Sequence, residues 1–191
     1  LYSSAASDVY KRQVETEFLG RNSVSIGSSM EQDMNSLIET EFPLHEAQRL
    51  RYDLLRVLTD GDLAYKLPGD NPTLGELCRE MGEIEHDYIQ SFKTFKHEWS
   101  YRAPEPEVAG SVAGLEAWYR ALDDEFETVV RGFSEEELHQ RQIDRGHGFT
   151  PSLFVQFQIY REALLIFFAK ASVYLKALQR EVSDEWRIGI G

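Results

Sequence analysis

Apolar residues recur at steps of three and four along most of this chain, and the alternation of a β-strand is nowhere sustained. Leu44, Ala47, Leu50, Leu54 and Leu58 form one stripe. It predicts a helix that either starts at Pro43 or starts near Asn35 and kinks there. Asp60-Gly61 should end it, and residues 62–70 read as a connecting loop with room for one helical turn. A second helix opens at Asn71-Pro72-Thr73 and is expected to reach about Trp99, along Leu74, Leu77, Met81, Ile84, Tyr88, Phe92 and Phe95. Gly75 and Gly82 cost helix propensity within it and point to close helix approach. Residues 101–110, with Pro104 and Pro106, read as a crossover loop.

A third helix starts near Ser111 and carries Val112, Leu115, Trp118, Leu122, Phe126 and Val129 on one face, with Asp123, Asp124, Glu125 and Glu127 on the other. Gly132 closes it. Ser134 to Glu137 has the Ser-x-x-Glu form of a capping box and predicts a short helix through Gln140. The stretch from Phe149 to Trp186 organises the rest. Thr150 is its expected cap and Pro151 its first helical residue. Every residue from Ala163 to Ala169 is apolar, which predicts a helix buried on all sides, with Ile166, Phe167 and Phe168 filling the centre with hydrocarbon. Arg161, Glu162 and Lys170 bracket a run far short of the ~20 apolar residues of a membrane span. The pattern predicts an all-α fold, a four-helix bundle with a long crossover connection and a short helix before the last.

Residues 1–29 differ from everything after them, being rich in serine and glycine without helical periodicity. Asp8 to Gln13 reads like the translation of a transposon end used in sequencing libraries, which suggests a metagenomic origin. On that reading Met30 or Met34 starts the natural chain, and 30–191 is one domain. The alternative is a disordered tail. The first 30 residues carry neither a basic start nor an apolar core, so no secretory leader is expected.

The 191 residues include 33 acidic and 20 basic ones, a formal charge of -13, which argues against binding nucleic acid or an anionic membrane. Cys78 is the single cysteine and reads as a small buried thiol in a reducing, cytoplasmic setting. The five histidines (His45, His86, His97, His139 and His147) form no His-x-x-x-His pair and no Glu-x-x-His, and are expected at the surface. No nucleophile motif, phosphate-binding glycine loop or dinucleotide fingerprint is present. More informative are Glu80, Glu83 and Glu85 on the second helix, and Tyr160 and Glu162 on the fourth. Glu85 lies nearest the apolar seam, with Arg161 and Lys170 available to neutralise a buried carboxylate.

Four helices with a long crossover, a second helix beginning Asn71-Pro72-Thr73-Leu74-Gly75-Glu76-Leu77, Glu85 followed by Tyr88, and a last helix ending Ser172-Val173-Tyr174-Leu175-Lys176-Ala177-Leu178 resemble the DinB-like superfamily over residues 35–180. The resemblance implies a metalloprotein with a histidine on the second helix and a His-x-x-x-His pair on the fourth. Several groups of the family are linked to low-molecular-weight thiol transfer or related isomerisation. Here the second-helix ligand falls on Glu80, the pair on Ala163 and Phe167, and the glycine-glutamine that usually follows on Ala169-Lys170. Alanine and phenylalanine ligate nothing, and one carboxylate will not hold zinc or nickel against water. The resemblance therefore implies a degenerate metal site and no cofactor.

The expected protein is a cytoplasmic, metal-free bundle with a binding or structural role and no named small-molecule ligand. The alternative is a thiol-dependent transferase or isomerase with a site rebuilt around Glu80, Glu85 and Tyr160. That reading requires a solvent-accessible cavity between the second and fourth helices. Self-association through the apolar seams is a third expectation, since the resemblance suggests homodimers.

Overall fold

A computed structural model describes residues 35–40, 45–103 and 106–190. The reading of residues 1–29, the choice of Met30 or Met34, and the question of Pro43 lie outside the described residues. Among those described, eight α-helices follow one another: α1 (Ser36–Thr40), α2 (His45–Arg56), α3 (Asp60–Leu63), α4 (Leu74–Thr94), α5 (Val112–Arg131), α6 (Glu135–Gln140), α7 (Leu153–Ala177) and α8 (Asp184–Gly189). A 3-10 turn, Pro106–Gly110, precedes α5. No strand occurs among the described residues, only isolated bridges. Four long helices make the bundle. α4 packs between α5 and α7, and α2 closes the opposite side by touching both.

Local chemistry explains where the helices start. Thr73 caps α4 by accepting from the Glu76 amide at 3.1 Å, while the Glu76 carboxylate accepts from the Thr73 amide at 2.7 Å. Ser134 and Glu137 make the same reciprocal pair for α6, and Ser111 caps α5 through the Gly114 amide. These starts are where the sequence put them. The start of α7 is not. Its cap is Ser152, and Pro151 lies outside the helix because its carbonyl accepts from the Ile143 amide at 2.9 Å.

α4 ends at Thr94 rather than Trp99. Phe95 turns left-handed at φ 58°, and its carbonyl accepts from the Asp144 amide while His97 donates to the Asp144 carbonyl. That pairing with the loop before α7 takes over the backbone groups that a longer helix would need. The expected helix end at Asp60-Gly61 also moves: α2 stops at Arg56, and Thr59 opens the single turn α3 with Asp62 closing its capping box. The stretch Phe149 to Trp186 is two helices, since the chain turns back at Gln179 and α8 buries Trp186 against Phe168. The Trp186 Nε1–H donates to the Ser172 hydroxyl at 2.8 Å.

Both glycines of α4 sit at close approaches. A Cβ on Gly75 would lie 1.8 Å from the Ala109 carbonyl oxygen in the 3-10 turn, and one on Gly82 would lie 2.5 Å from the Trp118 ring. The long connection after α4 is tied down by two carboxylates on that helix. Glu83 accepts from the Ala103 amide at 3.0 Å and Asp87 from the Tyr101 amide at 3.2 Å.

The seven apolar residues from Ala163 to Ala169 are not buried on all sides. Leu164, Phe167 and Phe168 are in the core, but Leu165 is 49 % exposed and Ile166 is 41 % exposed. A four-helix bundle has only one inward side per helix, so an uninterrupted apolar run leaves part of itself outside.

Candidate functional site

One polar side chain from each long helix meets at the middle of the bundle. Arg51 of α2 is 0 % exposed and ion-pairs through Nη1 with Glu85 of α4, which is equally sealed. Its Nη2 pairs with Asp123 of α5. Tyr160 of α7 donates its hydroxyl to Glu85 Oε1 at 2.8 Å, and Gln48 adds a long contact of 3.5 Å to the same oxygen. Tyr52 donates to the second Asp123 oxygen. The guanidinium carbon lies 4.0 Å from the Tyr119 ring centroid, and the Tyr119 hydroxyl is spent on the Cys78 carbonyl at 2.6 Å. Arg51 Nε has no acceptor among the described residues.

The electrostatics follow from two carboxylates sharing one sealed cation. Arg51 stays charged, because the neighbouring Glu85 and Asp123 outweigh the burial that opposes its charge. Burial is the largest influence on Glu85 and pushes it up to about 7; Arg51 pulls it down only in part, and Asp123 pushes it up again. Burial first, then their carboxylate neighbours, hold the Tyr160 and Tyr52 hydroxyls well above the ordinary phenol range. Both are therefore hydrogen-bond donors, not bases. The buried Cys78 thiol is pushed up to about 12 by desolvation, which makes it inert at neutral pH.

The residues singled out from sequence separate into two groups. Glu85 and Tyr160 come together in the centre, whereas Glu80 and Glu162 are both exposed on the outside. Helix geometry gives the reason. Five residues from Glu80 to Glu85 turn α4 by about 140° beyond a full turn, and two residues from Tyr160 to Glu162 turn α7 by about 200°. No single cavity can receive all four. Arg161 hydrogen-bonds to Gln158 and Lys170 is exposed, so the cation that neutralises the core carboxylate is Arg51 instead. Ile166 lies outside rather than filling the centre. Glu83, which could have been an ordinary solvent-facing acid, is 6 % exposed and holds the connection after α4.

Arg51 was readable and was missed. Leu44, Ala47 or Gln48, Arg51, Leu54 or Leu55, and Leu58 form a regular stripe in the sequence, and a charged residue at its middle marks a cation pointed into the core. Asp123 was hidden among the other acids on the outer face of α5, although it lies one residue beyond the buried Leu122.

A second polar cluster lies beside the first. Gln156 of α7, fully buried, donates through Nε2 to the Ser91 hydroxyl at 2.9 Å and lies 2.7 Å from His97 Nδ1, while its Oε1 accepts from Arg145 at 2.7 Å. His97 is therefore buried, contrary to the expectation of a surface position. Desolvation, and then Arg145, push its pKa down to about 3, so it is neutral. It packs edge-on to Tyr88, whose ring also neighbours that of Tyr160. His86 is half-buried and stacks on Tyr101 at 3.7 Å, while His139 and His147 are exposed. No ligand role connects these rings.

The metal implied by the family resemblance has no fitting donor set here. Its three positions are an exposed Glu80, a half-buried Ala163 and a buried Phe167, and among the described residues no three His, Cys, Asp or Glu side chains converge on a metal-sized space. Space for a ligand exists at the surface instead. A groove of about 650 Å³ is walled by Tyr101, Val108, Ala117 and Trp118, with Glu107 at its lip. A second hollow of about 400 Å³ is lined by His86, Asp87, Lys96 and Arg102.

The architecture is that of a DinB-like four-helix bundle. The solved structure of a DinB-like protein from Bacillus subtilis (YjoA) superimposes with a TM-score of 0.59 at 14 % sequence identity, covering 74 % of this chain and 93 % of that one. Identity that low speaks for the fold alone. Neither a known family profile nor a curated protein matches the sequence. No helix among the described residues is long and apolar enough to cross a membrane.

Proposed function

We propose that this DinB-like bundle does no chemistry at its centre and acts as a metal-free binding protein through its outer surface, in a reducing compartment such as the cytoplasm. The observation that carries this reading is the ion-paired cluster in which Arg51, Glu85 and Tyr160 are sealed and Asp123 is mostly buried. An enzyme of the rebuilt kind needs Glu80, Glu85 and Tyr160 in one open cavity, but Glu85 and Tyr160 have no solvent access and Glu80 is exposed on the outside. The two carboxylates that do reach the core, Glu85 and Asp123, are already engaged by Arg51. Binding is left to the exterior, where the Tyr101–Trp118 groove has the size of a small-molecule site and aromatic walls.

Elemental analysis tests this on protein purified without chelator and without a metal-binding tag. The expected result is zinc, nickel, manganese and iron each well below one per chain after dialysis. One tightly held transition metal per chain would overturn the reading and move the enzyme ahead.

A further inference from the structure

The Tyr101–Trp118 groove is built on one side of α4. Tyr101 stacks on His86 with ring centroids 3.7 Å apart, and its amide donates to Asp87 at 3.2 Å. Two residues on, the Ala103 amide donates to Glu83 at 3.0 Å. The other ring of the groove, Trp118, packs so closely on Gly82 that no Cβ would fit there. Residues 82, 83, 86 and 87 share one side of the helix, so α4 holds both aromatic walls. Walls fixed before a ligand arrives lose least to ordering when it binds.

We propose, building on the surface-binding reading above, that this groove takes a small organic cation with an apolar body. Its charge would lie against the Tyr101 and Trp118 rings and the Glu107 carboxylate, and its hydrocarbon on Val108 and Ala117. Charge complementarity selects this ligand class. Among the described residues Glu107 is the one charged side chain on the lining, and it has no ion-pair partner there. Glu83 is shared with Arg79 at 3.4 Å, and Arg102 lines the adjoining hollow instead. Aromatic faces attract a cation whether or not it carries N–H groups. The formal charge of -13 concentrates cations at the surface of the chain, so an anion would meet repulsion from every source. Hydrogen bonding offers little selection, because the Ser111 hydroxyl already accepts from the Gly114 amide as the cap of α5. The volume of about 650 Å³ lies within the roughly 300–1,000 Å³ of small-molecule sites.

Benzyltrimethylammonium is the probe, because it has no N–H and reads the ring and carboxylate attraction alone; benzyl alcohol and benzenesulfonate are its neutral and anionic counterparts. Calorimetry on the full chain should show the cation binding about tenfold more tightly than benzyl alcohol, with no detectable binding of benzenesulfonate. In nitrogen–proton NMR spectra the Trp118 indole signal should move, while that of the buried Trp186 stays still. Glu107→Gln should weaken the cation about threefold and Glu107→Lys about tenfold. Position 107 is exposed, so helical circular dichroism should be unchanged in both. Benzyl alcohol or benzenesulfonate seated at Trp118 as tightly as the cation overturns the charge assignment and leaves the surface-binding reading standing; a resident transition metal would remove that reading by a separate measurement. A Trp118 signal unmoved by millimolar cation, or cation binding indifferent to Glu107→Lys, also overturns the assignment.

Discussion

Where Arg51, Glu85, Asp123 and Tyr160 meet, the interior of this bundle is more polar than the outward side of α7 at Leu165, Ile166 and Val173. The two regions obey one rule from opposite ends. Charge persists inside because each ionised group has a partner of opposite sign within hydrogen-bonding reach, and desolvation would expel it otherwise. Hydrocarbon persists outside because exposure of an apolar side chain only forgoes stabilisation and violates nothing, and a second surface can recover it. Hydrophobicity along the chain therefore reports which residues can be buried, and pairing decides which charged ones are.

The contrast breaks most readily at its polar end. Arg51→Ala leaves Glu85 and Asp123 facing each other without a cation, and should lower the unfolding free energy by about 3–5 kcal/mol in urea titrations. A loss under about 1 kcal/mol would mean that the carboxylates simply take up protons at no cost.

Leu164 and Leu165 test the apolar end with identical chemistry one residue apart. Leu164 is 0 % exposed, so Leu164→Ala should cost about 2–5 kcal/mol. Leu165→Ala should change stability by no more than about 0.5 kcal/mol. Equal losses would place Leu165 inside after all.

The smallest effect is a slope. Burial raises the Glu85 carboxyl to about 7, against roughly 4.3 in an unfolded chain. The folded state thus holds this proton more tightly. Its contribution to stability is complete below about pH 4 and is lost as pH rises through about 7. Glu85→Gln should flatten the decline in stability between pH 5 and pH 8 without shifting the acid limb. There Asp62 and Glu76, both lowered by their hydrogen bonds, act in the opposite sense. A wild-type profile that is level from pH 5 to pH 8 would contradict the shared-cation picture.

Much of the fold was legible because helix starts are local. The Thr73–Glu76 and Ser134–Glu137 boxes and the Ser111 cap each need only four consecutive residues, and all three stand where the sequence put them. Helix ends were less legible. α4 stops at Thr94 because of Asp144, fifty residues away, and Pro151 is kept out of α7 by Ile143; neither pairing leaves a mark on the local pattern. The candidate site was half legible. Glu85 stood out beside the seam, and Tyr160 was named with it, but their cation was sought on α7 and came from α2. Glu80 and Glu162 could have been separated from those two by counting helix turns. The outward stripe of α7 was invisible, since an uninterrupted apolar run does not say which of its sides faces water.

The two glycines of α4 carry a different consequence for the history of the sequence. At Gly82 the obstacle to a larger residue is the Trp118 side chain, and a side chain can itself mutate. Positions 82 and 118 are thus free to drift together, one gaining volume as the other gives it up. At Gly75 the obstacle is the Ala109 carbonyl, which belongs to every amino acid alike, so no substitution at position 109 can make room. Among diverging descendants of this chain, glycine at 82 is negotiable and glycine at 75 is not.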